Sequence, residues 1–497
     1  MGLKLSGAKM VSHITTWGLK NIFRRPAANM PGKLALYIDP QLISHLLYKL
    51  RVGSMVVCGT NGKTTTNNLV ADVLEQQGLS AICNRTGANL DSGVATAMLH
   101  GETADWGVFE CDELWLVKIL PALKSDYLVM LNLFRDQLDR CGEIDVIQDS
   151  IASALEASPE TVLVYNADDP LCAAIAEKVD NACIAFGVAE NMKLSQNTVV
   201  DAQMCQQCSG MLAYSYRQYG QLGEYHCPQC GFKRAELDFA AAHVRFESEG
   251  LSFEVEARGK GAAVTESGQD AGAAASREAQ NTEQVSAQDV DSSLQPVSLG
   301  TVNSEFTGAY MVYNLLAARV ASALAGCSAE SFQKALDRFD PQNGRLQHFD
   351  IDGRSILLNL AKNPTGFNQN MRIILQDEGP KAVGFFVNDK EGDGKDISWL
   401  WDIDFEELAQ DGDLVVFAGG IRKNDLQVRL KYAGLTAHLV EGAADMLDKT
   451  QSLPESYRIY AIANYTALPP VHAELTEMEQ VNPGASESAT HKEQTHG

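Results

Sequence analysis

The sequence lacks an apolar run that could cross a membrane, because such a run needs about 20 residues. Its basic N-terminal stretch is not followed by an apolar segment with a small-residue cleavage site, so no signal peptide is expected. Basic residues are few: 40 stand against 64 acidic residues, and the net charge of −24 repels nucleic-acid phosphate. The composition therefore predicts a cytoplasmic protein and excludes broad nucleic-acid binding.

The cysteines do not show the pattern of a secreted disulfide scaffold, because their number, 11, is odd and the chain is long. Most of them are expected to be buried free thiols. With 497 residues, 45% of them hydrophobic, the chain can bury a large core, and two or three domains are expected.

Short apolar runs alternate with helical patterns in two parts of the chain, which predicts an α/β fold with mainly parallel sheets. A first α/β domain is expected at 51–335 and a second at 336–470. Residues 258–300 contain almost no large apolar side chains, so they are predicted to be a disordered insertion. A flexible tail is predicted at 471–497.

The N-terminal segment, residues 1–50, is expected to pack on the first domain. Within it, apolar residues such as Trp17 and Phe23 stand beside basic residues such as Lys20 and Arg24. This pattern favours a packed helix, and a weak contact with a membrane surface is the alternative.

A glycine-rich loop follows the apolar run Met55–Cys58 and opens the helical pattern Lys63–Gln77. Glycines let main-chain N–H groups turn toward phosphate oxygens, and a helix N-terminus favours negative charge. Lys63 is expected to reach the β- and γ-phosphates of ATP, and the Thr64 hydroxyl to bind Mg²⁺. A glycine turn beside a surface lysine is the alternative. The predicted nucleotide-binding residues here are Gly59, Thr60, Asn61, Gly62, Lys63, Thr64 and Thr65.

Acidic residues follow the apolar run that starts at Trp106. Because the carboxyl ends of parallel strands meet at one edge of a sheet, Glu110 is predicted to be the Mg²⁺ ligand, with Glu113 as second choice. Solvated acids at a strand end are the alternative.

Two Cys-x-x-Cys pairs are separated by 18 residues: Cys205 with Cys208, and Cys227 with Cys230. Four thiolates suit tetrahedral Zn²⁺, and a site with four sulfur ligands has no open position for chemistry. A structural zinc ribbon is therefore predicted at 201–235. Such ribbons often bind nucleic acid, but the acidic chain argues against that role here. Four unrelated thiols are the alternative.

Several segments resemble those of Mur ligases and folylpolyglutamate synthases, in the same chain order. Besides the glycine loop they are Asn132–Asp139, Asn166–Asp169, Tyr313-Asn314 and Gly344-Arg345. The resemblance implies that Asn314 lies on the adenine side of the nucleotide and that Arg345 reaches the nucleotide from the domain junction. Two features depart from the family: Gln137 stands where most members have His, and Gly344-Arg345 is not followed by an acidic residue.

Within this superfamily the chain resembles the MurT family, the ligase-like subunits of lipid II isoglutaminyl synthase. The resemblance implies a P-loop ATPase domain with an inserted zinc ribbon, followed by a C-terminal α/β domain. It also implies amidation of the D-isoglutamate α-carboxylate in the lipid II stem peptide, through an acyl phosphate, at the inner face of the membrane. The segments that carry it are Asn132–Gly142, Leu360–Gln369, Asp393–Asp402, Gly420–Arg422, Arg429–Gly434 and Asn464–Ala467.

The ammonia has no evident source in this chain, because no cysteine on a nucleophile elbow has a matching histidine. The resemblance implies a GatD-like glutaminase subunit as partner in a heterodimer. It further implies that an aspartate of the C-terminal domain completes the partner's Cys–His pair. Asp396 is the predicted residue, and Asp393 is the second choice. The alternative is that Asp396 caps a helix beginning near Ser398.

Lys63 and Lys362 are the predicted catalytic cations on the transferring phosphoryl group. A surface lysine is the alternative for Lys362. Trp399 and Trp401 are candidates for the docking surface of the partner, with core packing as the alternative.

Two other functions remain open. The first is a free-standing amino-acid ligase of the Mur or folylpolyglutamate type, which needs no glutaminase; segments 362–369 and 393–402 argue against it. The second is a nucleotide switch whose zinc ribbon contacts nucleic acid; the net charge and the second α/β domain argue against it.

Overall fold

The computed structural model describes residues 2–24, 27–135, 144–194, 201–247, 250–263, 296–341 and 344–481. It contains two α/β domains whose sheets are mainly parallel, which confirms the predicted fold class. Residues 136–143, which include Gln137, lie outside the described residues.

The first domain is built on a nine-stranded sheet in the order β11-β10-β9-β6-β5-β4-β1-β3-β2. Neighbours from β2 through β9 are parallel, and β10 and β11 add antiparallel strands at one edge. Strands β7 and β8 form a separate hairpin. The strands are β1 (Leu50–Cys58), β2 (Ala81–Cys83), β3 (Ala104–Glu110), β4 (Tyr127–Met130), β5 (Val162–Asn166), β6 (Cys183–Val188), β7 (Ala213–Arg217), β8 (Gly223–His226), β9 (Phe239–Glu247), β10 (Gly250–Ala257) and β11 (Val297–Ser304).

Helices cover both faces of this sheet, so the central strands are buried on both sides. The N-terminal helices share one face with α5 to α8, while α4, α9 and α10 cover the other. Among the described helices, none combines the length and hydrophobicity that a membrane crossing requires. The helices are α1 (Gly2–Asn21), α2 (Met30–Ile38), α3 (Leu42–His45), α4 (Lys63–Gln76), α5 (Asp91–His100), α6 (Leu116–Leu123), α7 (Ile144–Glu156), α8 (Pro170–Ala176), α9 (Ala309–Leu324) and α10 (Ala329–Leu336).

The second domain has a six-stranded sheet in the order β12-β13-β17-β14-β15-β16, parallel except for the edge strand β12. Two 3-10 helices, Ser398–Asp402 and Phe405–Gln410, lie between β14 and β15. The other elements are β12 (Gln347–Ile351), β13 (Arg354–Leu360), α11 (Pro364–Gln376), β14 (Lys381–Phe386), β15 (Leu414–Gly419), α12 (Lys423–Tyr432), β16 (Ala437–Leu439), α13 (Ala443–Thr450), β17 (Arg458–Ala463) and α14 (Leu468–Val481).

Two predicted segments have wrong boundaries. The tail predicted from 471 is helical up to Val481, because Val471 and Leu475 are buried against the second sheet. The predicted insertion, 258–300, is too long at both ends: the Arg258 N–H donates to the Asp238 oxygen and Ala262 is buried, and the residues from Val297 onward pair with β10 as strand β11. The remaining parts of these two predictions, 264–295 and 482–497, lie outside the described residues.

Candidate active site

The loop between β1 and α4 takes its shape from two glycines. Gly59 and Gly62 have φ values of +130° and +89°, a region that favours glycine. A Cβ on Gly62 would lie 2.8 Å from Cγ of Asn314 and closer still to its Oδ1. The structure thus brings Asn314, on α9, directly against the loop.

Asn132, just after β4, holds the loop through three hydrogen bonds. Its main-chain oxygen accepts from the Thr60 N–H at 2.9 Å, and its Oδ1 accepts from the Asn61 N–H at 2.9 Å. Its Nδ2 donates to the Asn61 oxygen at 3.0 Å. Asn132 is absent from the predicted site residues. Its place at the carboxyl end of a strand next to β1 is the signal that would have included it.

Lys63 is buried at the start of α4 and lies against Glu113. Its ammonium donates to Glu113 Oε1 at 3.2 Å and to the main-chain oxygen of Gly59. The Gly59 N–H donates to the same carboxylate oxygen at 3.0 Å. Burial would lower the pKa of Lys63, but Glu113 and Glu110 raise it above its usual range. A main-chain N–H and an ammonium thus converge on one anion, which is the arrangement that binds phosphate.

Thr64 and Glu110 lie together on the other side of the loop. The Thr64 hydroxyl donates to Glu110 Oε2 at 2.6 Å. Asn84 holds the Glu110 main chain through two hydrogen bonds of 2.8 Å: its Nδ2 donates to the Glu110 oxygen, and its Oδ1 accepts from the Glu110 N–H. Hydroxyl and carboxylate oxygens are ligands that Mg²⁺ prefers, so the pair fits that ion, whereas Glu113 faces Lys63. Thr65 is buried in the first turn of α4.

Asn363 connects the second domain to the loop. The Asn61 Nδ2 donates to the Asn363 Oδ1 at 3.4 Å, and the Asn363 Nδ2 donates to the Asn61 Oδ1 at the same distance. Asn363 Oδ1 also accepts from the Gly366 N–H at 2.9 Å, which caps α11. The helix cap and the loop therefore share one side chain.

Two cations of the second domain act on the carboxylates beside the loop. Burial would raise the pKa of Glu113, but Lys63 and Lys362 outweigh burial and lower it. Burial lowers the pKa of Arg345, and the Glu110 carboxylate opposes that shift. The structure therefore places the predicted Arg345 and Lys362 within electrostatic range of the loop.

Asp396 lies in an exposed loop after β14. Its two carboxylate oxygens accept from the Ser398 N–H at 2.8 Å and the Ser398 hydroxyl at 2.9 Å, so it lies in a turn just before the first 3-10 helix, whose N-cap is Ile397. Asp393, the second choice, is buried and accepts from the N–H and hydroxyl of Thr466. Burial raises the pKa of Asp393. Of these two aspartates, only Asp396 presents its carboxylate to solvent.

The two tryptophans of the predicted docking surface differ in exposure. Trp401 is 55% exposed; its ring lies 5.5 Å from that of Tyr432 and near the Arg429 guanidinium. Trp399 is half-buried and packs against Phe367, with ring centroids 5.5 Å apart. Trp401 therefore lies on the surface, and Trp399 belongs partly to the core.

The four predicted cysteine ligands come together at the tips of two turns. Their sulfur atoms all lie within 4.8 Å of one another, with Cys205 to Cys230 at 3.5 Å and Cys208 to Cys227 at 3.4 Å. A tetrahedral Zn²⁺ with Zn–S bonds of about 2.3 Å requires sulfur separations of about 3.8 Å. The cluster could therefore hold a metal ion.

A buried ion pair fixes this cysteine-bearing segment to the first domain. Arg234 donates to Asp168 Oδ1 at 3.0 Å, and Asp168 is fully buried. The Asp168 Oδ2 accepts from the Tyr313 hydroxyl at 2.7 Å and the Val188 N–H at 3.0 Å. Asp168 lies in Asn166–Asp169, one of the segments that resemble Mur ligases. This motif therefore connects the cysteine-bearing segment to α9.

Comparison with known proteins agrees with this geometry. The Mur ligase middle domain matches residues 57–222, and the MurT ligase C-terminal domain matches 360–468. Subunit MurT of lipid II isoglutaminyl synthase (glutamine-hydrolyzing) from Staphylococcus aureus (strain COL) is 28% identical over 461 residues. That similarity covers 91% of this chain and 92% of the relative. The chain is therefore similar to MurT subunits over most of its length.

A second MurT relative and two solved structures extend this result. The MurT subunit from Streptococcus pneumoniae (strain ATCC BAA-255 / R6) is 28% identical, covering 89% of this chain and 90% of the relative. A pseudomurein peptide ligase type C from Methanothermus fervidus superposes with a TM-score of 0.62 at 20% identity, covering 87% of this chain and 80% of that one. MurF from Acinetobacter baumannii gives 0.61 at 16% identity, covering 90% and 80%. This chain has the Mur ligase fold and is an ATP-dependent ligase, and the match to the Mur ligase middle domain implies ATP and Mg²⁺.

Proposed function

We propose that this chain is the synthetase subunit that amidates the α-carboxylate of D-isoglutamate in the lipid II stem peptide. ATP activates the carboxylate as an acyl phosphate, and the ammonia comes from a GatD-like glutaminase subunit. The named relatives, which are MurT subunits of lipid II isoglutaminyl synthase, support this proposal. The observation that carries the ATP-dependent step is the convergence of the buried Lys63 ammonium and the Gly59 N–H on one carboxylate oxygen at the glycine loop.

The first chemical step is transfer of the γ-phosphoryl group to a carboxylate oxygen. The bond from the γ-phosphorus to the β–γ bridging oxygen breaks, ADP leaves, and an acyl phosphate forms. Charge on the transferring group is stabilised by Lys63 from the loop and by Lys362 and Arg345 from the second domain. Mg²⁺, held by Thr64 and Glu110, would neutralise charge on the β- and γ-phosphates.

The second step joins nitrogen to the activated carbon. The ammonia nitrogen attacks the acyl carbon, the bond from that carbon to the phosphate oxygen breaks, and phosphate leaves as the amide forms. One proton of the nitrogen passes to solvent or to phosphate. The hydrogen bonds between Asn61 and Asn363 hold the two domains together at the loop, which supports a reaction at the domain junction.

The partner subunit is proposed to complete its own active site with Asp396. A carboxylate in that role orients the histidine and stabilises its charged form. The solvent-exposed carboxylate of Asp396 supports this role, since another chain can approach it. The hydrogen bonds from Ser398 fix the carboxylate in one orientation, which suits a residue that must meet a partner's histidine.

The surface next to Asp396 has the composition of a protein interface. Trp401 lies in the 3-10 helix that follows Asp396, and Tyr432 and Val428, both exposed, lie on the adjoining α12. Exposed aromatic residues beside an arginine are typical of interface anchors. We propose that this face docks the glutaminase.

The four-cysteine cluster is proposed to bind a structural Zn²⁺. Its sulfur ligands occupy all four positions of a tetrahedral site, so the ion is not expected to take part in catalysis. The proposed place of action is the inner face of the membrane, because the substrate carries a lipid.

The proposal is tested by assaying the purified chain with lipid II, ATP and a nitrogen source. With ammonium salts, the chain alone is expected to give an amidated product whose mass is lower by about one unit than that of the acid. Glutamine is expected to act as the nitrogen source only when the glutaminase subunit is added. Addition of glutamate by the chain alone, without amidation, would establish the free-standing ligase instead.

A pair of variants in one loop separates the two half-reactions. Asp396→Asn is expected to abolish glutamine-dependent amidation in the complex and to spare amidation from ammonium salts. Glu391→Gln removes the same charge from an exposed position of the same loop and is expected to change neither activity. Loss of both activities in Asp396→Asn would contradict the role proposed for this aspartate.

A further inference from the structure

The outer face of α1 carries apolar side chains at helical spacing. Met10, Ile14 and Trp17 are 61%, 62% and 60% exposed, and their i, i+4, i+7 spacing forms one row. The opposite row, which includes Ala8 and Ser12, is buried against the first domain. A surface helix normally turns polar residues outward. The outward row of α1 is therefore an apolar surface that this chain does not cover.

The apolar surface extends beyond α1. Ile22 and Phe23, just after the helix, are 63% and 65% exposed. Helix α2, which packs against α1, repeats the pattern with Met30, Leu34 and Tyr37, again at i, i+4, i+7 and again exposed. Contiguous exposed apolar patches on soluble proteins mark contact sites. We call these eight residues the N-terminal patch.

Contacts on the inner side of α1 hold the patch outward. The hydroxyls of Ser12 and Thr16 lie 3.3 Å and 3.0 Å from Nε2 of His100, at the end of α5. The rings of His13 and His100 stack edge to face with centroids 5.5 Å apart. The outward direction of the apolar row is thus fixed by specific contacts.

The charge around the patch is opposite to that of the whole chain. The first 38 residues contain six of the 40 basic residues and none of the 64 acidic residues. Lys4, Lys20, Arg24 and Lys33 are exposed, and among the described residues no acidic side chain forms an ion pair with any of them. A strongly acidic protein therefore presents one cationic, apolar face.

We propose that the N-terminal patch binds the surface of an anionic lipid bilayer. Its apolar rows would enter the headgroup region, and the lysines and arginines around them would contact lipid phosphates. The proposal rests on the proposed function to the extent that a lipid-borne substrate lies at such a surface. A symmetric contact with a second copy is disfavoured because it would bring two cationic faces together.

Vesicle flotation with the full-length chain tests this proposal. The vesicles contain phosphatidylcholine alone or mixed with phosphatidylglycerol, and the salt concentration is low or high. The chain is expected to float with the anionic vesicles at low salt and to be released at high salt, because screening weakens the attraction. Equal binding to neutral vesicles, or no binding to anionic ones, would overturn the proposal.

Variants identify the surface. Trp17→Ser with Phe23→Ser is expected to weaken vesicle binding at least about tenfold, because both apolar side chains leave the headgroup region. Lys20→Glu is expected to weaken it more than the roughly fivefold effect of losing one basic charge. Val481→Ser, which changes an exposed apolar side chain at the end of α14 in the second domain, is the control and is expected to bind as the unmodified chain does.

Three further readouts separate the outcomes. Circular dichroism and thermal unfolding confirm that the double variant is folded, which its exposed positions favour. Sedimentation velocity without lipid detects self-association, and a dimer abolished by the double variant would overturn the membrane assignment. Amidation of detergent-solubilised lipid II with ammonium salts tests the proposed function separately. Vesicle binding without amidation would refute that function alone, whereas amidation without vesicle binding would refute this inference alone.

Discussion

Replacing Gly62 by alanine tests how tightly the phosphate loop is built. The φ of +89° costs a side-chain-bearing residue roughly 1–2 kcal/mol. In addition, the new Cβ would lie 2.8 Å from Cγ of Asn314, which is buried and cannot swing into solvent. Displacing that side chain adds about 1–2 kcal/mol, so the loop conformation should lose about 2–4 kcal/mol in total.

Gly78 provides a matched control at the other end of the same helix. Its φ is +88°, but a Cβ there would meet nothing within 4 Å. Gly78→Ala should therefore lower the free energy of unfolding by about 1–2 kcal/mol and leave ATP binding unchanged. The difference between the two variants isolates the contact between Gly62 and Asn314.

The assay is calorimetric titration with ATP and Mg²⁺, together with urea unfolding. Gly62→Ala is expected to raise the Kd for ATP at least about tenfold, which corresponds to about 1.4 kcal/mol of the loop's lost free energy. If Gly62→Ala bound ATP as tightly as Gly78→Ala, the loop would not be the nucleotide site and the account of the site would be wrong.

Three other predictions concern the structure around the site. Cys208→Ser removes one of four thiolates and is expected to release the proposed Zn²⁺, measured by atomic absorption; one zinc per variant chain would contradict that assignment. Arg234→Ala leaves Asp168 buried without its counter-ion and is expected to cost about 3 kcal/mol in urea unfolding, whereas a cost below about 1 kcal/mol would show that the pair is unimportant. Burial raises the pKa of Asp169 to about 6, so its folded-state pKa lies above the ordinary value of about 3.9. Ionising Asp169 therefore destabilises the fold, and as pH rises from about 4 to about 6 the unmodified chain should lose up to about 3 kcal/mol relative to Asp169→Asn. If the difference in unfolding free energy between the unmodified chain and Asp169→Asn did not change with pH, ionisation of Asp169 would not be the cause of the loss.

Local sequence predicted the parts of the site whose geometry is set within a few residues. Gly59 to Thr64 is one contiguous turn between a strand and a helix, and the paired cysteines are two tight turns. In both cases residue type and spacing determine the shape. These motifs could be recognised without knowing how distant elements pack.

The contacts that complete the site depend on tertiary packing, which spacing along the chain does not reveal. Glu110 ends β3 and Glu113 follows three residues later, and the direction of the short turn after Asp112 decides which carboxylate meets Lys63. Asn363 reaches Asn61 only because the second domain packs at the carboxyl edge of the first sheet. Spacing along the chain therefore could not show which of the two glutamates meets Lys63, or that Asn363 reaches the loop.

The sequence does not predict the last helix because the part of it from residue 471 onward is mostly polar. Leu468, Val471, Leu475 and Met478 recur at helical spacing, and the first three are buried against the second sheet. That period was the available signal, but the acidic residues between them resemble a flexible tail. The charged residues on the exposed face of such a helix do not reveal whether its other face is buried.

The acyl-phosphate step is tested most directly by following oxygen. Lipid II labelled with ¹⁸O in both oxygens of the D-isoglutamate α-carboxylate is incubated with the chain, ATP, Mg²⁺ and ammonium salts. The released phosphate is then analysed by mass spectrometry. Carboxylate activation by ATP predicts one ¹⁸O atom in each phosphate formed per amide, since the carboxylate oxygen leaves with the phosphoryl group. Amide formation with unlabelled phosphate would contradict the account.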